Sequence, residues 1–179
     1  MKLLIVVDMQ IDFISGVLGT PEAQAIVPNV KKKVLEYEKN GDTILYTRDT
    51  HNDNYLDTQE GKKLPVPHCI YGTEGWRIHP SVYTPCYSDT VDKFSFGMWD
   101  IGNVVNSIAR HRGRRGETLE SIELVGLCTD ICVISNAMIL KAYFPEIPIS
   151  VDSSCCAGVT PESHNNALEA MKMCQIEVI

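Results

Sequence analysis

The sequence contains no long hydrophobic run. Its N-terminal segment, MKLLIVVDMQ, holds an apolar stretch of five residues at positions 3–7 before Asp8 interrupts it. A membrane-spanning helix needs about 20 consecutive apolar residues, and the core of a signal peptide needs about 7–15. The stretch is too short for either role, so we expect a cytoplasmic protein without a membrane partner.

Positive charge is also scarce. The chain has 16 lysines and arginines against 23 aspartates and glutamates, which gives a net charge of −7, and its one basic cluster, residues 110–115, has glycines at 113 and 116. Such a cluster is typical of a solvated helix end or loop, whereas nucleic-acid-binding domains usually carry a strongly basic surface. We therefore expect no nucleic-acid partner and predict that the protein acts on a small molecule.

Cys-X-X-Cys pairs are absent as well, although the chain has seven cysteines. Their absence argues against a thiolate zinc site of the usual spacing. An odd number of cysteines, in a chain of this length without an export signal, favours a reduced protein. We therefore expect no disulfide bonds.

What the chain does have is a regular alternation of short apolar runs and longer segments of helical periodicity. The run LLIVV is continuously apolar, which is typical of a strand buried on both faces. The alternation predicts one domain over residues 1–179 with a three-layer α/β/α, Rossmann-like fold and a mostly parallel six-stranded sheet. The predicted strands are 3–7, 43–47, 89–93, 121–126, 147–151 and 175–179, and the predicted helices are 30–41, 98–113, 129–144 and 160–173.

Reactive side chains follow three of the predicted strands. Parallel sheets bind ligands beyond the carboxyl ends of their strands, where this chain has Asp8, Lys93 and the segment GLCTDICV with Cys128 and Cys132. Each residue alone has a structural explanation as a turn aspartate, a solvated lysine or a packing cysteine. Together they predict a nucleophile site with a base, a cation that favours the thiolate, and a thiol near a helix start.

A second candidate site lies in the long segment 48–88. This segment is rich in Pro, Gly, Asn and Asp, and loops of such length are usually functional. Asp49 and His51 are two residues apart after a predicted strand, so their side chains can point the same way, and His68 follows in a proline-rich stretch. One carboxylate and two imidazoles suit Zn²⁺, Fe²⁺ or Mn²⁺. The alternative is a pair of solvated loop histidines.

These motifs together resemble the isochorismatase-like cysteine hydrolases, and among them the nicotinamidases. VDMQIDF resembles the first-strand motif of that family, VDK its lysine strand, VGLCTDICV its nucleophile motif, and RDTH with HCIYGTEGW the metal loop of nicotinamidases. The resemblance implies the isochorismatase fold and a thiol-dependent amidohydrolase. The reaction that we expect first for such an enzyme is the conversion of nicotinamide to nicotinate and ammonia.

The resemblance also implies a role for each residue of the nucleophile site. The catalytic triad would be Asp8, Lys93 and Cys132, so Cys132 and not Cys128 would be the nucleophile. The backbone N–H groups of Cys128 and Cys132 would form the oxyanion hole, and the bond between Leu127 and Cys128 would be cis. A helix start agrees with this choice of thiol, because its free N–H groups favour negative charge.

Asp49, His51 and His68 would hold a divalent metal, with zinc as the first choice and iron or manganese as alternatives. Members of the family form dimers and tetramers, so the resemblance also implies a homo-oligomer. Among pocket residues, Phe13 matches one aromatic wall of the family. Leu64 stands where nicotinamidases often have an aromatic ring.

The sequence leaves two other functions open. One is an amidase of the same family that acts on a carbamoyl or ureido compound without the metal. The other is a non-catalytic protein that uses the fold for ligand binding or redox sensing, since a fold does not determine a function. Trp76 and Trp99 are candidates to replace the aromatic ring that is missing at Leu64.

Overall fold

A six-stranded parallel sheet forms the centre of the molecule. The computed structural model describes residues 1–85, 88–113, 116 and 118–179. The strands lie in the order β3-β2-β1-β4-β5-β6, and every neighbouring pair is parallel. The predicted fold class is therefore confirmed. The strands are β1 (Lys2–Val7), β2 (Thr43–Asp49), β3 (Ser88–Lys93), β4 (Ser121–Leu127), β5 (Ile149–Ala157) and β6 (Glu177–Val178).

Helices cover both faces of this sheet. They are α1 (Ile11–Ile14), α2 (Pro21–Asn40), α3 (Gln59–Lys63), α4 (Ile101–Gly113), α5 (Ile134–Tyr143) and α6 (Pro161–Met173), with a 3-10 turn at Tyr55–Asp57 and a π-helical turn at Thr129–Val133. One apolar cluster joins α1 and α2 to one face, and a second joins α4, α5 and α6 to the other. Within the described ranges, no helix combines the length and apolar character that crossing a membrane requires.

Helix α2 begins earlier than the predicted range of 30–41. The side chain of Thr20 caps the helix by accepting a backbone hydrogen bond, and Pro21 occupies its first turn, where proline is favoured. Pro28 lies inside the helix and removes one backbone hydrogen bond, because proline has no N–H group. Buried apolar residues on both sides of Pro28 hold the helix against the sheet.

Strand β5 is longer than the predicted range of 147–151. It continues to Ala157, so Cys155 and Cys156, which come after the predicted range, lie within the strand and are buried. The polar residues at 152–154 interrupt the apolar run, so the sequence pattern does not show that the strand continues.

Two smaller differences concern the ends of elements. Helix α4 begins at Ile101 and not at 98, and the last strand is shorter than the predicted 175–179. Residues 110–113 of the basic cluster end α4, while 114 and 115 lie outside the described residues.

The parallel arrangement brings the carboxyl ends of the strands to one edge of the sheet. Asp8 follows β1, Asp49 and Lys93 are the last residues of β2 and β3, and Leu127 ends β4. Asp49 and Lys93 are direct partners in the register of their two strands. The side chains of both predicted sites therefore start from this edge.

Candidate active site

The three residues of the predicted triad meet at this edge. Lys93 reaches from the end of β3 so that its Nζ lies 2.7 Å from Oδ2 of Asp8 and 3.4 Å from Sγ of Cys132. Thr47, in the strand between β1 and β3, donates a hydrogen bond of 2.7 Å to Oδ1 of Asp8. An acid, an amine and a thiol are thus in contact around one cation.

All three groups are shielded from water. The exposed fraction is 0% for Asp8, 1% for Lys93 and 5% for Cys132. Burial opposes a charge on Lys93, but the negative charges of the neighbouring Asp8 and Asp49 outweigh this effect, and the pKa of Lys93 lies well above the ordinary value. Burial also raises the pKa of Asp8, against the attraction of Lys93. Lys93 is therefore cationic, and Asp8 is a stronger base than an exposed aspartate.

Burial governs the acidity of the Cys132 thiol. Burial raises its pKa well above the ordinary value, and repulsion by Asp8 adds to this effect, while Lys93 acts in the opposite direction. The sequence predicted that the nearby cation would lower this pKa, but burial outweighs the cation. The thiol needs a base to take its proton, and Lys93 contacts both this thiol and the carboxylate of Asp8, which brings that base into the same centre.

A π-helical turn carries Cys132. The predicted helix over 129–144 is divided, because Thr129–Val133 forms this turn and α5 begins only at Ile134. A π-helical turn is a common feature of functional sites. It directs the Cys132 side chain towards the strand ends, where Lys93 lies.

The segment before this turn is held close to β1. Gly126 has a φ of +119°, and any Cβ at this position would overlap the carbonyl oxygen of Val7. The bond between Leu127 and Cys128 is cis, as the resemblance implies. The carbonyl oxygen of Cys128 accepts a hydrogen bond of 3.0 Å from the N–H group of Val133, which closes the turn.

Four side chains form a cluster of metal-ligand type beside the triad. The donor atoms of Asp49, His51, Glu60 and His68 all lie within 4.8 Å of one another. The structure thus brings the three predicted metal ligands together and adds Glu60. The only sequence signal for Glu60 was its position between the two histidines, because helix α3, in which it lies, has five residues and no apolar periodicity.

The cluster has the chemistry that a divalent metal requires. Nδ1 of His68 is 2.8 Å from the carbonyl oxygen of Val66, which makes this nitrogen the donor and leaves Nε2 facing the cluster. Burial lowers the pKa of His51, but the hydrogen bond and charge of Asp49, together with Glu60, outweigh it and raise this pKa. The carboxylates thus attract a positive charge into the cluster.

Asp49 belongs to both centres. Its Oδ1 is 3.0 Å from Nζ of Lys93, and its Oδ2 is 3.0 Å from Nε2 of His51. These contacts, with the charge of Lys93, lower the pKa of Asp49 although burial acts in the opposite direction. Asp49 is therefore an anion that joins the triad to the donor cluster.

The motif VDMQIDF supports both centres. Its Asp8 belongs to the triad, while the side chain of Gln10 donates 2.9 Å to the backbone oxygen of Asp49 and accepts 2.7 Å from its N–H group. Asp12 accepts a hydrogen bond of 2.8 Å from the N–H group of Cys69. Burial raises the pKa of the Cys69 thiol, and this residue is not part of the donor cluster.

A cavity of about 660 Å³ opens onto both centres. Phe13 and Leu64 line it, as the resemblance implies, and so do Cys128 and Cys132. The sequence missed Phe94 and Phe96, which follow β3 and form an aromatic wall of the cavity. Trp76 and Trp99 do not line it: the indole N–H of Trp76 donates to Thr50, and Trp99 is 80% exposed.

The fold and the site define a class of parallel α/β proteins with a buried thiol, amine and carboxylate at the strand ends. Within this class the chain belongs to the isochorismatase family, whose model, described as the isochorismatase domain, matches residues 2–179.

Matches to individual relatives also extend over nearly the whole chain. The chain is 26% identical to the nicotinamidase of Schizosaccharomyces pombe over 206 residues, which cover 98% of this chain and 91% of the relative. It is also 26% identical to the nicotinamidase/pyrazinamidase of Mycobacterium tuberculosis over 195 residues, which cover 100% and 98% of the two chains. The solved structure of the pyrazinamidase of Pyrococcus horikoshii in complex with zinc superposes with a TM-score of 0.82 at 25% identity, covering 99% and 98%.

Proposed function

We propose that this protein is a nicotinamidase, which hydrolyses nicotinamide to nicotinate and ammonia through a thioester on Cys132. The observation that carries the proposal is the carboxylate of Asp49, which is 3.0 Å from Lys93 and 3.0 Å from His51. This carboxylate joins a nucleophile to a metal-ligand cluster at one cavity. Relatives named nicotinamidase, which match nearly the whole chain, support the same assignment.

In the first half-reaction Asp8 accepts the proton of the Cys132 thiol, and Lys93 stabilises the resulting thiolate by its positive charge. The sulfur attacks the carboxamide carbon, and the carbonyl electron pair moves to oxygen. When this pair returns, the C–N bond breaks, and Asp8 gives its proton to the departing nitrogen. Ammonia leaves, and the acyl group remains on Cys132 as a thioester.

In the second half-reaction water attacks the thioester carbon while Asp8 accepts one of its protons. The C–S bond then breaks, and the proton on Asp8 passes to the sulfur of Cys132. The released acid still carries the second proton of the water, which it loses to solvent to become nicotinate. The backbone N–H groups of Cys128 and Cys132 are the proposed donors to the oxyanion in both half-reactions. Burial raises the pKa of Asp8, which suits a group that must accept and return a proton.

We assign the donor cluster to zinc. Asp49, His51, Glu60 and His68 offer two imidazole nitrogens and two carboxylates, a donor set that zinc accepts. A zinc ion held by these four residues would supply a Lewis acid for the pyridine nitrogen of the substrate. Iron and manganese accept similar donors, so elemental analysis of the purified protein distinguishes the three metals.

The same cluster separates this proposal from an amidase that acts on carbamoyl or ureido compounds without a metal. Such an enzyme has no need of four donor atoms within 4.8 Å beside its nucleophile. The cavity also favours a flat ring, because Phe13, Phe94 and Phe96 line it and aromatic side chains stack on such rings.

Ammonia release from nicotinamide tests the proposal, with Cys132→Ala and Cys128→Ala as matched variants at the same cavity. We expect Cys132→Ala to lower kcat by about 10³-fold or more, because the nucleophile is lost. Cys128→Ala should stay within about tenfold of the wild type, because only its backbone N–H group takes part.

A large loss of kcat in Cys128→Ala, with kcat retained in Cys132→Ala, would show that the wrong thiol has been assigned. Absence of turnover in wild-type protein that holds its metal would reject nicotinamide as the substrate.

A further inference from the structure

Asn136 connects the turn that carries Cys132 to the aromatic wall of the cavity. It lies in the first turn of α5 and is fully buried. Its Nδ2 donates to the carbonyl oxygens of Cys132, at 2.7 Å, and of Phe96, at 3.3 Å. Its Oδ1 accepts a hydrogen bond of 3.0 Å from the N–H group of Met98. One side chain thus bonds to two separate parts of the site.

The part that bears the aromatic rings is residues 94–98, which we call the wall segment. It begins directly after Lys93 and contains Phe94 and Phe96, which line the cavity. Gly97 brings it close to α5, because a Cβ at this position would lie 3.0 Å from Cβ of Ser135 and 2.7 Å from Cδ1 of Ile139. The hydrogen bonds of Asn136 therefore coincide with close packing between the wall segment and the helix.

We propose that Asn136 is a positioning residue that fixes the aromatic wall relative to the Cys132 thiol. Through Phe96 and Met98 it holds the surface that contacts the substrate ring, and through the carbonyl of Cys132 it holds the nucleophile turn. The inference deepens the proposed function and rests on it for the effects on nicotinamide kinetics. Its structural consequences hold for any substrate of the site.

Two variants separate the two connections. A threonine within a helix can donate its hydroxyl hydrogen to the carbonyl oxygen four residues earlier, so Asn136→Thr keeps a bond to Cys132 and loses both bonds to the wall segment. Asn136→Ala loses all three bonds. Asn166→Ala is the matched control, because Asn166 is exposed on α6.

Hydrogen–deuterium exchange with mass spectrometry measures each connection directly. We expect Asn136→Thr to raise exchange in the wall segment about tenfold or more, because the N–H group of Met98 loses its acceptor and the carbonyl of Phe96 loses its donor, and to leave residues 128–133 unchanged. Asn136→Ala should raise exchange in both segments, and Asn166→Ala in neither. Circular dichroism checks that each variant is folded, and the threonine variant tests the proposal even if the alanine variant fails to fold.

Kinetics with nicotinamide add a second measurement. We expect Asn136→Thr to raise KM about tenfold with kcat within about twofold, since only the wall is released, and Asn136→Ala to lower kcat as well. Unchanged exchange in the wall segment of folded Asn136→Thr would overturn the proposal, and so would equal effects of both variants on residues 128–133. If wild-type protein does not turn over nicotinamide, the proposed function fails, while the exchange pattern still decides the role of Asn136.

Discussion

Thr47 supports the base of the proposed mechanism. Burial raises the pKa of Asp8, and the hydrogen bond of 2.7 Å from the hydroxyl of Thr47 acts in the opposite direction. Thr47→Val removes this donor, so we expect the pKa of Asp8 to rise further. Because Asp8 must be ionised to accept a proton, the acidic limb of the pH profile of kcat/KM should move to higher pH.

Thr47→Ser is the control for this prediction, because it keeps the hydroxyl group and should leave the acidic limb in place. If Thr47→Val is folded and its acidic limb coincides with that of the wild type, Asp8 is not the base that this limb reports.

At the residue scale, the sequence predicted the site residues that lie at the ends of strands. Asp8, Asp49 and Lys93 each follow or end a strand, so the parallel sheet alone brings them to one edge. Glu60 and Phe94 were not predicted, because tertiary contacts of a five-residue helix and of the segment after β3 place them. Hydrophobic periodicity in the sequence does not indicate such contacts.

The short helix α3 gives the metal-ligand cluster its fourth member. Thr58 caps this helix by accepting a hydrogen bond of 3.0 Å from the N–H group of Gly61, which fixes the first turn where Glu60 lies. We expect Glu60→Gln to weaken zinc binding by about tenfold or more, because a neutral amide replaces a carboxylate. Competition with a chromophoric chelator measures the affinity independently of enzymatic activity.

Gln59→Ala is the matched control for Glu60→Gln, because Gln59 is the neighbouring residue of α3 and also lines the cavity. Equal zinc affinity in Glu60→Gln and the wild type would remove Glu60 from the proposed ligand set.

At the element scale, the sequence predicted the order and type of the main strands and helices and failed where one element changes character. The segment 129–144 has a continuous apolar pattern, yet hydrogen bonds to the carbonyl of Cys128 give its first residues the π-helical form. Strand β5 passes through the polar residues 152–154, whose side chains bond outside the apolar core. In both cases local geometry overrides periodicity.

A charged cluster ties helix α2 to strands β4 and β5. Nζ of Lys33 lies 2.7 Å from Glu123 of β4 and 2.9 Å from Asp152 of β5. Burial acts to raise the pKa of Asp152, but hydrogen bonds from Lys33 and Ser154 outweigh it, and the pKa is lowered. A lowered pKa in the folded state means that this group stabilises the protein above its unfolded pKa, about 3.9, and that the stabilisation disappears as the pH falls through the folded value.

We therefore expect Asp152→Asn to lower the free energy of unfolding by about 1 kcal/mol at neutral pH and by less at about pH 3. Urea unfolding at both pH values measures the difference. Asp53→Asn is the control, because Asp53 is exposed. A loss of stability in Asp152→Asn that is the same at both pH values would mean that the charge of Asp152 does not contribute.

At the scale of the whole molecule, three expectations from the sequence stay predictions: a homo-oligomer, a cytoplasmic location and the lack of a nucleic-acid partner. Phe94 and Val159 at the cavity, and Trp99 beyond the wall segment, leave large apolar surfaces exposed. Exposed apolar patches often mark interfaces, so these residues are candidates for the surface of the predicted homo-oligomer. Light scattering of the purified protein measures this assembly.

The shared carboxylate of Asp49 has a consequence for engineering. A library that varies Asp49 together with the rest of the donor cluster would also disturb Lys93, which contacts both Asp8 and Cys132. Members without Asp49 would therefore lose reactivity before any new specificity could be selected. Substitutions should instead be made at Phe13, Leu64 and Phe94. These residues line the cavity and belong neither to the triad nor to the donor cluster. With Asp49 held constant, specificity can evolve while the reaction chemistry is inherited unchanged.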